Sequence, residues 1–168
     1  AQDQHEVEKP LSWQKMIWWV LLAFIPSSHM LGVTQHSSTD IATFPLLWII
    51  PLAIYLLTFI IAFSRIGKMC TTLSAYVLGL VLLAVALCLL GESYEYPFIQ
   101  IAIHLLALFI SSLLCHGQLA KERPVVSHLT TFYLLLSCGG VLGGIFNSLV
   151  APISFSWIAE YPLILLLL

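Results

Sequence analysis

The sequence predicts an all-α integral membrane protein, a polytopic helical bundle with five complete spans and the start of a sixth. Three observations predict it. Hydrophobic residues make up 60% of the chain and charged residues only 8%, and the mean hydropathy is +1.01, a composition foreign to soluble globular domains. The apolar residues gather into runs of about 20, the length that crosses ~30 Å of hydrocarbon at about 1.5 Å per residue. The connections between runs are short, which favours antiparallel neighbours in one membrane domain.

Residues 1–12 read as a polar leader and residues 13–168 as a single transmembrane helical domain, truncated at its C-terminal end because the apolar run 163–168 is too short to span. The chain starts at Ala1 without a methionine, so it reads as a piece of a longer protein or as its ordered part. No cleavable signal peptide is recognisable, since the leader mixes acidic and basic residues and the first apolar run lacks a small-residue cleavage site. The net charge is -2 and no basic cluster exceeds two residues, which excludes nucleic acid as a partner. Cys70, Cys88, Cys115 and Cys138 show no paired spacing and read as small buried hydrophobes. Neither a cofactor nor a metal is expected.

The complete spans fall at residues 15–33, 44–64, 70–90, 97–115 and 129–150, with a further apolar stretch from Tyr161 onward. Lys9 and Lys15 precede the first, Arg65 and Lys68 separate the second and third, and Lys121 and Arg123 separate the fourth and fifth. All the basic residues therefore fall on one side, which the positive-inside rule assigns to the cytoplasm together with the amino terminus. Asp40, Glu92, Glu95 and Glu160 face outward.

In the first span Pro26 is followed by Ser27, Ser28 and His29. Proline removes a backbone donor, so a kink is expected there, with the serines covering the freed carbonyls. His29 lies roughly 20 Å in from the inner edge. An ionisable residue at that depth is either a proton carrier or cation contact, or a neutral imidazole bonded to a neighbouring helix. The outer connection holds His36 and Asp40, which could take a cation or an amine at an outer mouth or simply form a turn or cap. The second span sets Trp48, Pro51, Tyr55, Thr58 and Ala62 on one face, bent at Pro51. The third carries a small-residue line, Ala75, Gly79 and Ala86, and reads as packing alone.

In the fourth span Gln100, His104, Ala107, Ser111, Cys115 and Gln118 follow at steps of three and four, a continuous polar or small stripe. In the fifth, Thr130, Tyr133, Ser137, Gly140, Gly144 and Asn147 share a stripe, and Gly139 with Gly143 and Gly140 with Gly144 make two overlapping small-xxx-small pairs. Ser137, Gly139, Gly140, Gly143, Gly144 and Asn147 are the expected helix-packing set. Spans four and five are expected to pack together or jointly line a polar cleft. A candidate groove is drawn from His29, Gln100, His104, Ser111 and Tyr133.

The segments WWVLLAFIPSSHMLGVT, STDIATFPLLWIIPLAIYLLTFIIAF, CHGQLAKERP, LTTFYLLLSCGGVLGGIFNSLVAP and AEYPL, in this order, resemble the membrane half of bacterial fused major-facilitator and spermidine-synthase-like proteins. The double glycine pair followed by FN and AP is the most specific part. The resemblance implies a transporter-like helical region that is usually followed by a cytosolic aminopropyltransferase-like domain, which this sequence lacks, so no synthase residue carries over. It also implies an acidic residue where Gln118 stands and an aliphatic one where His29 stands. GGVLGG is no dinucleotide loop, since it lies inside an apolar helix without a preceding strand.

Two functions follow. One is a membrane module without catalytic chemistry, a structural or anchoring subunit in contact with the bilayer and with other membrane subunits or the remainder of its own chain, in the bacterial cytoplasmic membrane. The alternative is a transporter-type module moving a polyamine or other small polar solute through a groove between spans four, five and one. An enzyme is not expected: His116 beside Cys115, and Ser111 on the helix of His104, make neither a metal set nor a triad.

Overall fold

A computed structural model describes residues 11–37, 48–90 and 97–150, and every regular element among them is helical. The helices are α1 (Trp13–His36), α2 (Ile49–Ala62), α3 (Gly67–Leu90), α4 (Pro97–Lys121) and α5 (Leu129–Ile145). A 3-10 turn, Val126–His128, leads into α5, and a π-helical turn, Phe146–Val150, continues it. Four of these segments are long and apolar enough to cross a membrane: α1, α3, α4 and α5 with its flanking turns. The described part of α2 has 14 residues, or ~21 Å of rise, short of the ~30 Å of a full crossing. The rest of the expected second span and the whole stretch from Tyr161 onward lie outside the described residues. α4 runs six residues past the expected end at Cys115, because Pro124, not the polar CHGQ, is the first residue that cannot continue it.

Successive helices along the chain alternate in direction. Along α1, Trp19, His29 and His36 meet Glu122, Ser111 and His104 of α4 in descending order, so the two are antiparallel. Trp19 and Ser28 meet Phe132 and Asn147 of α5 in ascending order, so α1 and α5 run parallel. α4 stands in the middle against α1, α2 and α3, while α5 rests on α1. The expected pairing of spans four and five is therefore corrected: α1 lies between them. The reason is steric. Gly139 and Gly143 allow α5 to approach α1 so closely that a Cβ on Gly139 would overlap the Val20 carbonyl oxygen, and one on Gly143 would lie 3.0 Å from the Phe24 carbonyl oxygen.

Two apolar clusters hold the bundle. Trp19, Leu22, Ala23, Cys115, Leu119, Phe132 and Leu136 form one near the end that carries the basic residues, with the Trp19 and Phe132 rings edge to face at 4.9 Å. Val33, Val81, Val85, Ala107 and Leu108 form the other, farther along.

Other faces differ from the expected ones. The small-residue line of α3, Ala75, Gly79 and Ala86, points away from the bundle. The buried face of α3 is Thr71, Ser74, Leu78, Val81 and Val85, brought close where Gly117 of α4 leaves room for the Thr71 side chain. Pro51 stands in the first turn of the described α2, where no intrahelical bond is lost to it. α1 continues through Pro26, and the serines that follow do not cover its freed carbonyl. Instead the Ser27 hydroxyl donates to the Gly140 carbonyl of α5 at 3.0 Å. Cys115 is buried as expected, but Cys138 is exposed on α5.

Candidate functional site

Between the two apolar clusters lies a buried polar layer, built where α1 passes α4 on one side and α5 on the other. Ser28, His29 and Ser111 are fully buried, and Asn147 nearly so. His29 Nδ1 and Ser111 Oγ are 2.8 Å apart, and the Ser111 hydroxyl also lies 3.3 Å from the Leu108 carbonyl oxygen. A serine has one proton to give. If it goes to the carbonyl, His29 donates from Nδ1 and keeps Nε2 as its acceptor nitrogen. On the other side of α1, Asn147 Nδ2 donates to Ser28 Oγ and to the Gly143 carbonyl at 3.0 Å. Asn147 follows Gly139 and Gly143 at steps of four, which puts it on the face that they occupy.

A second buried pair joins α2 to α4. Thr58 Oγ1 lies 3.1 Å from His116 Nδ1 and donates to the Tyr55 carbonyl at 2.7 Å, so His116 donates from Nδ1. The Tyr55 and Phe59 rings meet the His116 imidazole edge-on at 5.1 and 5.0 Å. At the far end His104, also buried, packs edge to face on His36 at 4.7 Å.

The expected groove residues separate into three places. His29 and Ser111 meet directly. His104 sits nearer the far end with His36, and Gln100 is half-buried beyond it. Tyr133 does not join them: it is 42% exposed on α5, because Tyr133 and Ser137 stand on a face turned away from α1. Of the outer-mouth pair, His36 is the last residue of α1 and packs on His104, and Asp40 lies outside the described residues. Of the helix-packing set, Gly139, Gly143 and Asn147 are buried against α1, Ser137 is exposed, and no described atom stands within 4 Å of a Cβ placed on Gly140 or Gly144.

The sequence reading missed two arrangements. One is the Thr58 and His116 pair, hidden because His116 beside Cys115 suggests ligands before it suggests a hydrogen bond. The other is Glu122, whose two oxygens accept from the indole nitrogens of Trp18 and Trp19 at 3.2 and 3.0 Å, with the Lys15 ammonium 5.3 Å from the centre of the Trp19 ring. Adjacent tryptophans one turn inside a membrane boundary were its signal. Among the described residues, no group of three or more His, Cys, Asp or Glu side chains is placed to hold a metal ion.

Fold and site together define a polytopic α-helical membrane protein in which imidazole, hydroxyl and amide groups are turned into contacts between helices. No family model, curated protein or solved structure matches the chain.

Proposed function

We propose that this chain is a structural module of a larger membrane assembly in the bacterial cytoplasmic membrane, without catalytic chemistry of its own, and akin to the transmembrane half of fused transporter and spermidine-synthase-like proteins. The observation that carries this reading is the division of labour between the glycine pairs of α5. Gly139 and Gly143 are used on α1, whereas a Cβ placed on Gly140 or Gly144, one residue on, would meet no described atom within 4 Å, so the side-chain direction at both positions is open. In lipid, a second backbone gains dispersion contacts and weak hydrogen bonds on such a surface. The bilayer covers the remaining apolar faces, and a further membrane helix, from another subunit or from the rest of the same chain, fits this one.

The transport alternative has less support. A solute path needs polar side chains that face an opening, and His29 with Ser111, like Thr58 with His116, face each other. The test is leucine at both positions, Gly140→Leu with Gly144→Leu, in the chain purified from its own membrane with whatever it binds. Loss of copurifying subunits with unchanged insertion is expected. Full copurification by the double variant would overturn the structural-module reading.

A further inference from the structure

At the end of the bundle that carries the basic residues, a cavity of about 250 Å³ opens where α2 ends, α3 begins and α4 ends. Arg65, Lys68, Lys121 and Arg123 line it, together with Ala62, Ser64, Gly117 and Ala120. These charges come from two connections far apart in sequence and converge only in the fold. Among the described residues, no carboxylate lines the cavity. Glu122, the acidic residue of the same segment, accepts hydrogen bonds from the two indoles instead. The amino-terminal end of α3 adds about half a positive charge, and the carbonyl ends of α2 and α4 each subtract about as much. Four full cations outweigh that balance, so the cavity is strongly positive.

A second feature continues from the first. Arg65 and Lys68 also border a shallow groove that follows the outer face of α3 past Met69, Thr72, Leu73 and Tyr76. Beyond the two cations it is mostly apolar, and Met69, Leu73 and Tyr76 are exposed on the surface that lies in the bilayer. A cationic chamber joined to an apolar track matches a molecule with an anionic head and a hydrocarbon tail. From this juxtaposition we infer a specific site for an anionic phospholipid, with its phosphate held among Arg65, Lys68, Lys121 and Arg123 and an acyl chain lying along α3. Charges placed only to set topology would not need to converge on one cavity or to adjoin an apolar track.

The experiment is native mass spectrometry of the full chain, with its bound subunits, released from mild detergent after exchange with phosphatidylglycerol, phosphatidylcholine or inorganic phosphate. Retention of phosphatidylglycerol well above phosphatidylcholine is expected. Arg65→Gln with Lys68→Gln should lower it about 30-fold, from the usual attraction of two basic residues to anionic lipid, and Lys68→Arg should preserve it. Because losing two basic residues can disturb insertion, Ala120→Glu is the second variant: it adds a carboxylate at the cavity, keeps every basic residue, and should also abolish the preference. Equal retention of the two lipids, or a preference untouched by Ala120→Glu, would overturn the site. Displacement of the lipid by millimolar inorganic phosphate would overturn the phospholipid assignment in favour of a free-phosphate site.

Discussion

His29 and His116 solve the same problem in the same way. Each is an imidazole buried in an apolar bundle, where an unpaired donor is expensive. Each meets a hydroxyl that also lies within reach of a carbonyl of its own helix, Ser111 of Leu108 at 3.3 Å and Thr58 of Tyr55 at 2.7 Å. Removing the hydroxyl takes that hydrogen bond away from a buried imidazole nitrogen. Ser111→Ala and Thr58→Val should each destabilise the chain by about 1 kcal/mol, between the ~0.6 kcal/mol average for hydrogen bonds inside membranes and the ~1–3 kcal/mol cost of a buried unsatisfied group. Thermal unfolding in detergent measures it, and a double-mutant cycle of Ser111→Ala with His29→Leu should show a coupling of similar size. Additive losses would mean that the pair touches without bonding. His29 and Ser111 both stood out in the sequence, one by depth and the other by its stripe. Their partnership did not, because nothing in either segment says that α1 and α4 are neighbours.

α5 shows how one residue of register decides what a helix face does. Its two glycine pairs are offset by a single position, a rotation of ~100°, so the sequence alone leaves open which of them meets a helix within the chain. The rest of the buried face decides: Phe132, Leu136, Gly139, Gly143 and Asn147 follow at steps of four, three, four and four, and large apolar side chains at the start of that face lead into glycines at the close approach. Tyr133 and Ser137 share the stripe of Gly140 and are exposed, so of the expected stripe Asn147 alone is fully turned onto α1. Gly139→Leu should thus destabilise the isolated chain by ~1–3 kcal/mol, the usual range for overpacking, since its side chain would collide with Val20 and Ala23. Gly140→Leu should leave the chain's own melting temperature unchanged while acting on partners. Equal destabilisation by the two, in the same detergent unfolding assay, would contradict this register. Gly117 makes a comparable approach to Thr71, yet it stands in the sequence without a second glycine at helical spacing, so no pattern marks it.

Across the whole molecule, the distribution of charge and the order of the helices have different origins. Basic residues are costly to move across a bilayer, so their positions record the alternation of the spans, and that alternation was legible before any contact was known. Which helix stands in the centre depends on side-chain fit, and its trace was weaker: α4 alone combines a continuous small or polar stripe with a second buried row through Ser112, Leu113 and His116. The antiparallel arrangement places Ser12, Ser64 and Ser127 at one end and Trp48 at the other. In a chain with Cys70, Cys88, Cys115 and Cys138 replaced, a single cysteine at Ser12, Ser64 or Ser127 should react with a membrane-impermeant maleimide only in inverted vesicles, and one at Trp48 only in intact spheroplasts. Labelling of Ser64→Cys and Ser127→Cys from opposite sides would break the bundle's alternation. Labelling of all three from the outer side would leave the bundle intact and reverse its orientation. The cationic cavity would then face away from the cytoplasm, against the distribution that the positive-inside rule requires of Arg65, Lys68, Lys121 and Arg123.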